Sequence, residues 1–166
     1  MKQVPVRLKY RLSRTNLDKL YLVYIRPLFE YASELWDNCG IGNSQKLEQL
    51  QLEAARIVTG LPIFTKTEIL YIETGWELLS VRRKRRKLQH FYNIVNKNSP
   101  NYLCTLIPRT IQSTSVDPLR NWNDIILCFC RLSSTRDSFI PSTIKMWKSL
   151  NNAIRNVDTL SKLNQN

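Results

Sequence analysis

Only four glycines and a single histidine occur in this chain of 166 residues, and no two of its aspartates are adjacent. Each shortage excludes a chemistry. Neither G-x-x-x-x-G-K-[ST] nor G-x-G-x-x-G is present, so no phosphate-cradling loop is expected. His90, between Gln89 and Phe91, has no oriented partner for acid–base work and reads as a helix-surface residue. H-E-x-x-H is absent. No apolar run approaches the ~20 residues that cross a bilayer, so no membrane partner is expected.

Cysteine is also sparse. Cys39, Cys104, Cys128 and Cys130 follow a start, MKQVPVRLKYRLSRT, that is basic and lacks the apolar centre of a secretory signal. The expectation is an intracellular chain, nuclear or cytoplasmic, with free thiols. Only the C-x-C of Cys128 and Cys130 approaches metal-ligand spacing, and zinc wants four ligands grouped in pairs. No metal site is therefore expected. Glu30 and Glu34 lie four residues apart on a helix, but amid many Arg and Lys they read as ion-pair partners.

What is abundant is positive charge. The chain carries 25 Lys and Arg against 13 Asp and Glu, a net +12, which favours an acidic partner such as nucleic acid. No acid stands between Glu77 and Asp117, and residues 82–120 hold nine bases against one acid. Six of those bases are consecutive, Arg82 to Lys87. The hydrophobic content of 43% suffices for a core.

Periodicity predicts a mainly α chain: a small helical bundle with a short β element and a C-terminal helix. The first helix spans Thr15–Trp36, capped at Thr15 or Asn16. Its buried face is expected to carry Leu17, Leu20, Tyr21, Tyr24, Leu28, Tyr31, Ala32 and Leu35. Pro27 should kink or divide it. The second helix runs from Ser44, its cap, to Thr59, buries Leu47, Leu50, Ala54, Ile57 and Val58, and stops at Gly60 and Pro62. A short helix, Thr67 to Thr74, ends at Gly75.

The basic helix follows, about Leu78–Asn96, with Leu78, Val81, Leu88, Phe91, Ile94 and Val95 inward. On that face assignment Arg82, Arg83, Arg86 and Lys87 point outward, and Lys84 or Arg85 is tied to an acid within the fold, supplied by Glu48, Glu53 or Glu73. Arg82–Arg86 and Arg83–Lys87 are like-charge pairs one turn apart, each costing about 0.2–0.5 kcal/mol. Trp36, Trp76 and Trp147 sit in apolar patterns and read as core; Trp122 lies in a polar loop, 109–124. IILCFCRL, Ile125 to Leu132, is the β element. SFIPSTIKMWKSL, Ser138 to Leu150, is the last helix, with Ile144, Trp147 and Leu150 buried. The divisions expected are a basic segment 1–14, a bundle 15–108, a C-terminal extension 109–155 and a disordered tail 156–166.

Several of these segments resemble one family. LYLVYIRPLFEYASELW carries P-x-x-E-Y-x-x-x-x-W as Pro27, Glu30, Tyr31 and Trp36. A second helix carries Leu47, Gln51, Ala54, Arg56 and Gly60. Leu78, Leu79, Arg82 and Arg83 then lead into an F-Y-x-I helix, Phe91, Tyr92 and Ile94. Ser138, Phe139, Pro141, Ile144, Trp147 and Leu150 complete the series. In this order the motifs resemble the region after the palm in LINE-type (non-LTR) retrotransposon reverse transcriptases, especially jockey-like and CR1-like animal elements. Lys148 and Asn151 depart from the Asn and Pro usual there.

The resemblance implies a thumb-like helical region with a C-terminal extension from an RNA-directed DNA polymerase. The Y/F-x-D-D turn of that polymerase is absent. No catalytic residue is carried over, the chain is not expected to act as an enzyme, and magnesium belongs only to the parent palm. The expected partners are RNA and DNA, as primer–template, together with that palm. Arg82, Arg83, Arg86 and Lys87 are the candidate phosphate contacts, with Tyr92 as an exposed aromatic able to stack on a base. The alternative is a helical protein-interaction module whose basic block is a nuclear-import signal.

Overall fold

The computed structural model describes residues 11–38, 40–108, 110, 125–127 and 129–150. Trp122, Cys128, most of the 109–124 loop and the two terminal segments lie outside them. Among the described residues every regular element is helical, and none of these helices is long and apolar enough to cross a membrane. The chain divides into two compact units, Met1–Arg83 and Lys84–Asn166; Pro108, where the expected bundle ends, lies inside the second.

In the first unit, α1 is Arg14–Leu20, capped by Ser13 rather than Thr15 or Asn16; the Ser13 hydroxyl accepts from the Asn16 N–H at 3.4 Å. The helix then widens into a π turn, Tyr21–Ile25, where the Arg26 N–H reaches back five residues to the Tyr21 carbonyl. Pro27 accounts for it. Proline has no N–H and its ring crowds the carbonyl four residues back, so a widened turn just ahead relieves the clash. The short helix α2, Arg26–Glu30, carries Pro27 in its first turn. The chain bends at Ala32, which adopts a left-handed φ of 49°, and resumes as α3, Ser33–Trp36.

This local event reverses the expected burial. A π turn holds more than four residues, so side chains four apart stay on one face. Leu17 and Tyr21 are buried, and Ile25 and Phe29 pack against them. Tyr24, Leu28, Tyr31 and Leu35, expected inside, are 68%, 69%, 78% and 74% exposed.

Helix α4, Ile41–Thr59, begins three residues ahead of the expected Ser44 cap, after Gly40 at φ 89°. Its buried residues are Gln51, Ala55 and Val58, so the inward face is rotated by about one position and Leu50 is exposed. Gly60 closes it in the left-handed conformation, as expected. Helix α5, Thr67–Thr74, ends in the same way at Gly75. Leu17, Tyr21, Ala55, Val58, Leu70 and Trp76 form the core. Tyr21 stacks on Trp76 at 3.9 Å between centroids, and Trp76 Nε1 donates to Asp18 Oδ1 at 2.8 Å.

Helix α6, Leu79–Val95, contains the division between Arg83 and Lys84. In the second unit α7, Asn101–Cys104, follows Pro100; α8 is Ser133–Arg136 and α9 is Phe139–Ser149. Phe91, Tyr92, Ile125, Ile144 and Trp147 form a second core, with Leu88 half-buried against it. Phe91, Ile144 and Trp147 were expected there. The expected strand Ile125–Leu132 is not formed: its described residues make one antiparallel bridge, Thr110 to Ile125. A strand needs a ladder to satisfy its backbone groups, and β-forming composition does not supply the partner.

The two faces of the first unit make a direct comparison. Leu70→Ala, at a position with no exposure, is expected to destabilise by about 2–5 kcal/mol, and Leu28→Ala by less than about 0.5 kcal/mol. Denaturant unfolding of both variants measures the contrast; comparable losses would contradict the face assignment.

Candidate functional site

The basic block is set on α6 by polar contacts made at the helix's start. Glu48, expected to neutralise the block, instead accepts from the Leu79 N–H at 3.2 Å and from the Tyr71 hydroxyl at 2.6 Å. The Tyr21 hydroxyl donates to Gln51 Oε1 at 2.6 Å, and Gln51 Nε2 donates to the Glu77 carbonyl at 2.9 Å. Buried Gln51 thus holds the residues leading into α6 against α4.

Arg82 and Arg83 come next, and both are consumed internally. Arg82 forms a short charge-assisted hydrogen bond with Glu30 and lies 3.7 Å from the Glu77 carboxylate. Glu30 also faces Arg26 at 3.8 Å, so its reading as an ion-pair residue holds. Beside Glu30 the Arg82 guanidinium is held even more firmly protonated than usual. Arg83 is 2% exposed. Its Nε donates to Asp37 Oδ1 at 3.0 Å, its Nη2 to the Ser44 hydroxyl at 2.6 Å, and its Cζ lies 5.6 Å from the Trp36 ring centroid. Trp36 is half-buried and donates to the Tyr31 carbonyl at 2.7 Å.

The outward assignment of four block residues is therefore corrected. Arg83 and Lys87 are buried, and Arg82 and Arg86 are half-buried. Lys84, expected to be tied to an acid, is exposed, and Arg85 is half-buried. Tyr92, expected exposed, is 5% exposed and packs on Trp147 at 6.3 Å between centroids. Along α6 the buried positions Leu79, Arg83, Lys87 and Phe91 recur every four residues, while Leu78, Val81 and Val95, expected inside, are exposed. Counting apolar residues chose the wrong face because Arg and Lys bring long aliphatic stems that pack like apolar ones. The acids that meet the block, Glu30 and Asp37, lie 52 and 46 residues from their partners, beyond any local spacing rule. Glu73 instead pairs with Arg14 at 3.2 Å.

His90 is exposed, with the edge of its ring toward Phe139. Among the described residues no group of three or more His, Cys, Asp or Glu side chains is arranged to hold a metal ion. The candidate surface is thus a set of cations. In the second unit Lys84, Lys97, Arg131 and Lys145 are exposed, and Arg136 lies 3.3 Å from Asp137. Residues 84–166 carry 13 Lys and Arg against 4 Asp and Glu, a net +9; residues 1–83 carry 12 against 9, a net +3. The chain matches no known family model, no curated protein and no solved structure.

Two outcomes follow from the geometry. Arg83→Ala leaves Asp37 without its buried partner and is expected to cost about 3 kcal/mol, the lower end for a broken buried pair because Asp37 keeps some access to water. Arg83→Lys, unable to reach Asp37 and Ser44 together, should rescue little. Thermal or denaturant unfolding reads both, with the exposed Lys84→Ala as a near-neutral control.

The second outcome concerns alkaline pH. Burial raises the Tyr21 phenol well above its ordinary value of 10.0; burial and then the hydrogen bond to Glu48 do the same for Tyr71. Both stay protonated in the folded chain while the unfolded chain releases these protons near pH 10.0. Their contribution to stability is therefore complete below that pH and is lost as pH rises toward the folded values. Denaturation midpoints between about pH 8 and about pH 11 should fall less steeply in Tyr71→Phe than in the unmodified chain.

Proposed function

We propose that the chain is a nucleic-acid-gripping helical module, the thumb-and-tail part of a LINE-type RNA-directed DNA polymerase, holding primer–template by its phosphate backbone. In this reading it carries no polymerase chemistry, and the metal ions of that reaction belong to the palm. One observation carries the proposal: residues 84–166 hold a net +9 with four acids. A polyanion is the partner such an excess favours, and phosphate contacts require no base-specific geometry.

The burial of the basic block changes which residues serve. Arg82 and Arg83 hold α6 to its acids, and phosphate contact passes to the exposed cations Lys84, Lys97, Arg131 and Lys145. The import-signal alternative has less support. It needs the block presented as a whole, whereas Arg83 and Lys87 are buried and Arg82 is ion-paired.

Salt titration of binding to a DNA duplex and to an RNA–DNA hybrid tests the proposal. If the four exposed cations each neutralise one phosphate, log affinity falls against log salt with a slope near −3.6 for B-form DNA, about −0.9 per contact. Lys84→Ala should flatten the slope by about 0.9 and weaken all sequences alike. Unchanged affinity and slope after replacing all four by Ala, with the fold intact by circular dichroism, would overturn the reading.

A further inference from the structure

The exposed face of the first unit has a structure of its own. Tyr24, Leu28, Tyr31 and Leu35 recur at steps of four, three and four residues, and each is more than two-thirds exposed. Leu28 is also one wall of an open groove of about 430 Å³, lined further by Phe29, Trp36, Leu47, Asn43 and Lys46. A ridge of large side chains and an apolar groove thus adjoin on one surface, sharing Leu28. No charged residue belongs to the ridge.

We propose that this face is a self-association surface, on which a second copy of the chain packs with two-fold symmetry. Three observations select that occupant. The first is area. With ~150–250 Å² for an aromatic side chain and somewhat less for leucine, the four residues expose on the order of 700 Å². That exceeds the ~300–600 Å² of the largest apolar patch on a typical monomer. Doubled, it falls within the ~1,200–2,000 Å² of a stable interface.

The second is shape. An isologous contact requires one surface to complement itself, and here the ridge of one copy has a groove beside the same ridge on the other to enter. The third is charge. A +12 chain repels its own copies, and the ridge lies in residues 1–83, which carry +3 rather than +9. Association through this unit brings together the less charged halves. The inference does not rest on nucleic-acid binding, and its salt dependence has the opposite sign. Added salt screens the repulsion between copies and should strengthen association, whereas it weakens phosphate contacts.

Sedimentation velocity or light scattering on the full chain, without nucleic acid, tests it. Across the micromolar range the mass is expected to rise from 19.6 kDa to twice that value. The double variant Leu28→Asp, Tyr31→Asp should remain monomeric with an unchanged thermal transition, since both positions are exposed. Ile63→Asp, Phe64→Asp, at a separate exposed apolar site, should dimerise like the parent. A monomer at every concentration would overturn the proposal and give the face to a different polypeptide. Loss of association in the Ile63 and Phe64 variant as well would also overturn it, by showing non-specific adhesion.

Discussion

Arg83 enters the interior of the first unit on the condition that Asp37, Ser44 and the Trp36 ring meet it there. The local organisation of that unit follows from this requirement. A guanidinium taken out of water needs an acid with matching geometry. Asp37 supplies it from the end of α3, and Ser44 from the first turns of α4. Three segments widely spaced in sequence are fixed around one cation. Arg82, one residue earlier, draws on Glu30 and Glu77 in the same way. These partners are specific in distance and direction, so they set the rotation of α6 more sharply than apolar burial alone. Hydrophobic contact is non-directional.

The helix ends were legible in the sequence, because glycine and proline act locally. Gly60 and Gly75 close α4 and α5 in the left-handed conformation, and α7 starts after Pro100. The faces of α1–α3 and α6 were not legible. On α1–α3 the stripe Tyr24, Leu28, Tyr31 and Leu35 has good helical spacing, yet the π turn ahead of Pro27 puts Leu17, Tyr21, Ile25 and Phe29 inside instead. A sequence shows that Pro27 disturbs the helix; it does not show that the disturbance takes the form of an extra residue in the preceding turn. On α6 the missing information was the long-range pairing of Arg82 and Arg83, for which local spacing offers no signal. Phe91 and Trp147 were legible because large aromatics on a helical period rarely find a better environment than a core.

The candidate site divides along the same line. That a basic region faces an acidic partner follows from composition alone. Which bases remain for that partner does not, because a cation committed to an internal carboxylate has little left to offer a phosphate. Nine of the thirteen acids lie in residues 1–83. Several are engaged there: Glu30 and Asp37 with arginines, Glu48 with Tyr71 and the start of α6, Asp18 with Trp76. The acids of the first unit serve as structural acceptors, and the cations of the second have few acids near them in sequence. The net charge is thus sorted between units rather than spread over both.

That sorting also separates the two surfaces in energetic kind. The exposed cations of residues 84–166 act through a field that reaches about a Debye length and fades with salt. The exposed stripe of residues 1–83 acts through apolar burial, which salt does not screen and which requires close contact. Because the residues of each surface belong to different units, changes in one are expected to add to changes in the other rather than couple with them, as independent sites do. Arg83 is the exception, since it belongs to the helix that carries Lys84 yet is anchored beside the groove-lining Trp36. Replacing it loosens the start of α6 and the Trp36 wall of the groove together, so its effects on the two surfaces should not add. A double-mutant cycle that pairs Arg83→Ala with Lys84→Ala, and then with Leu28→Asp, separates that shared structural role from the independent contributions of the two surfaces.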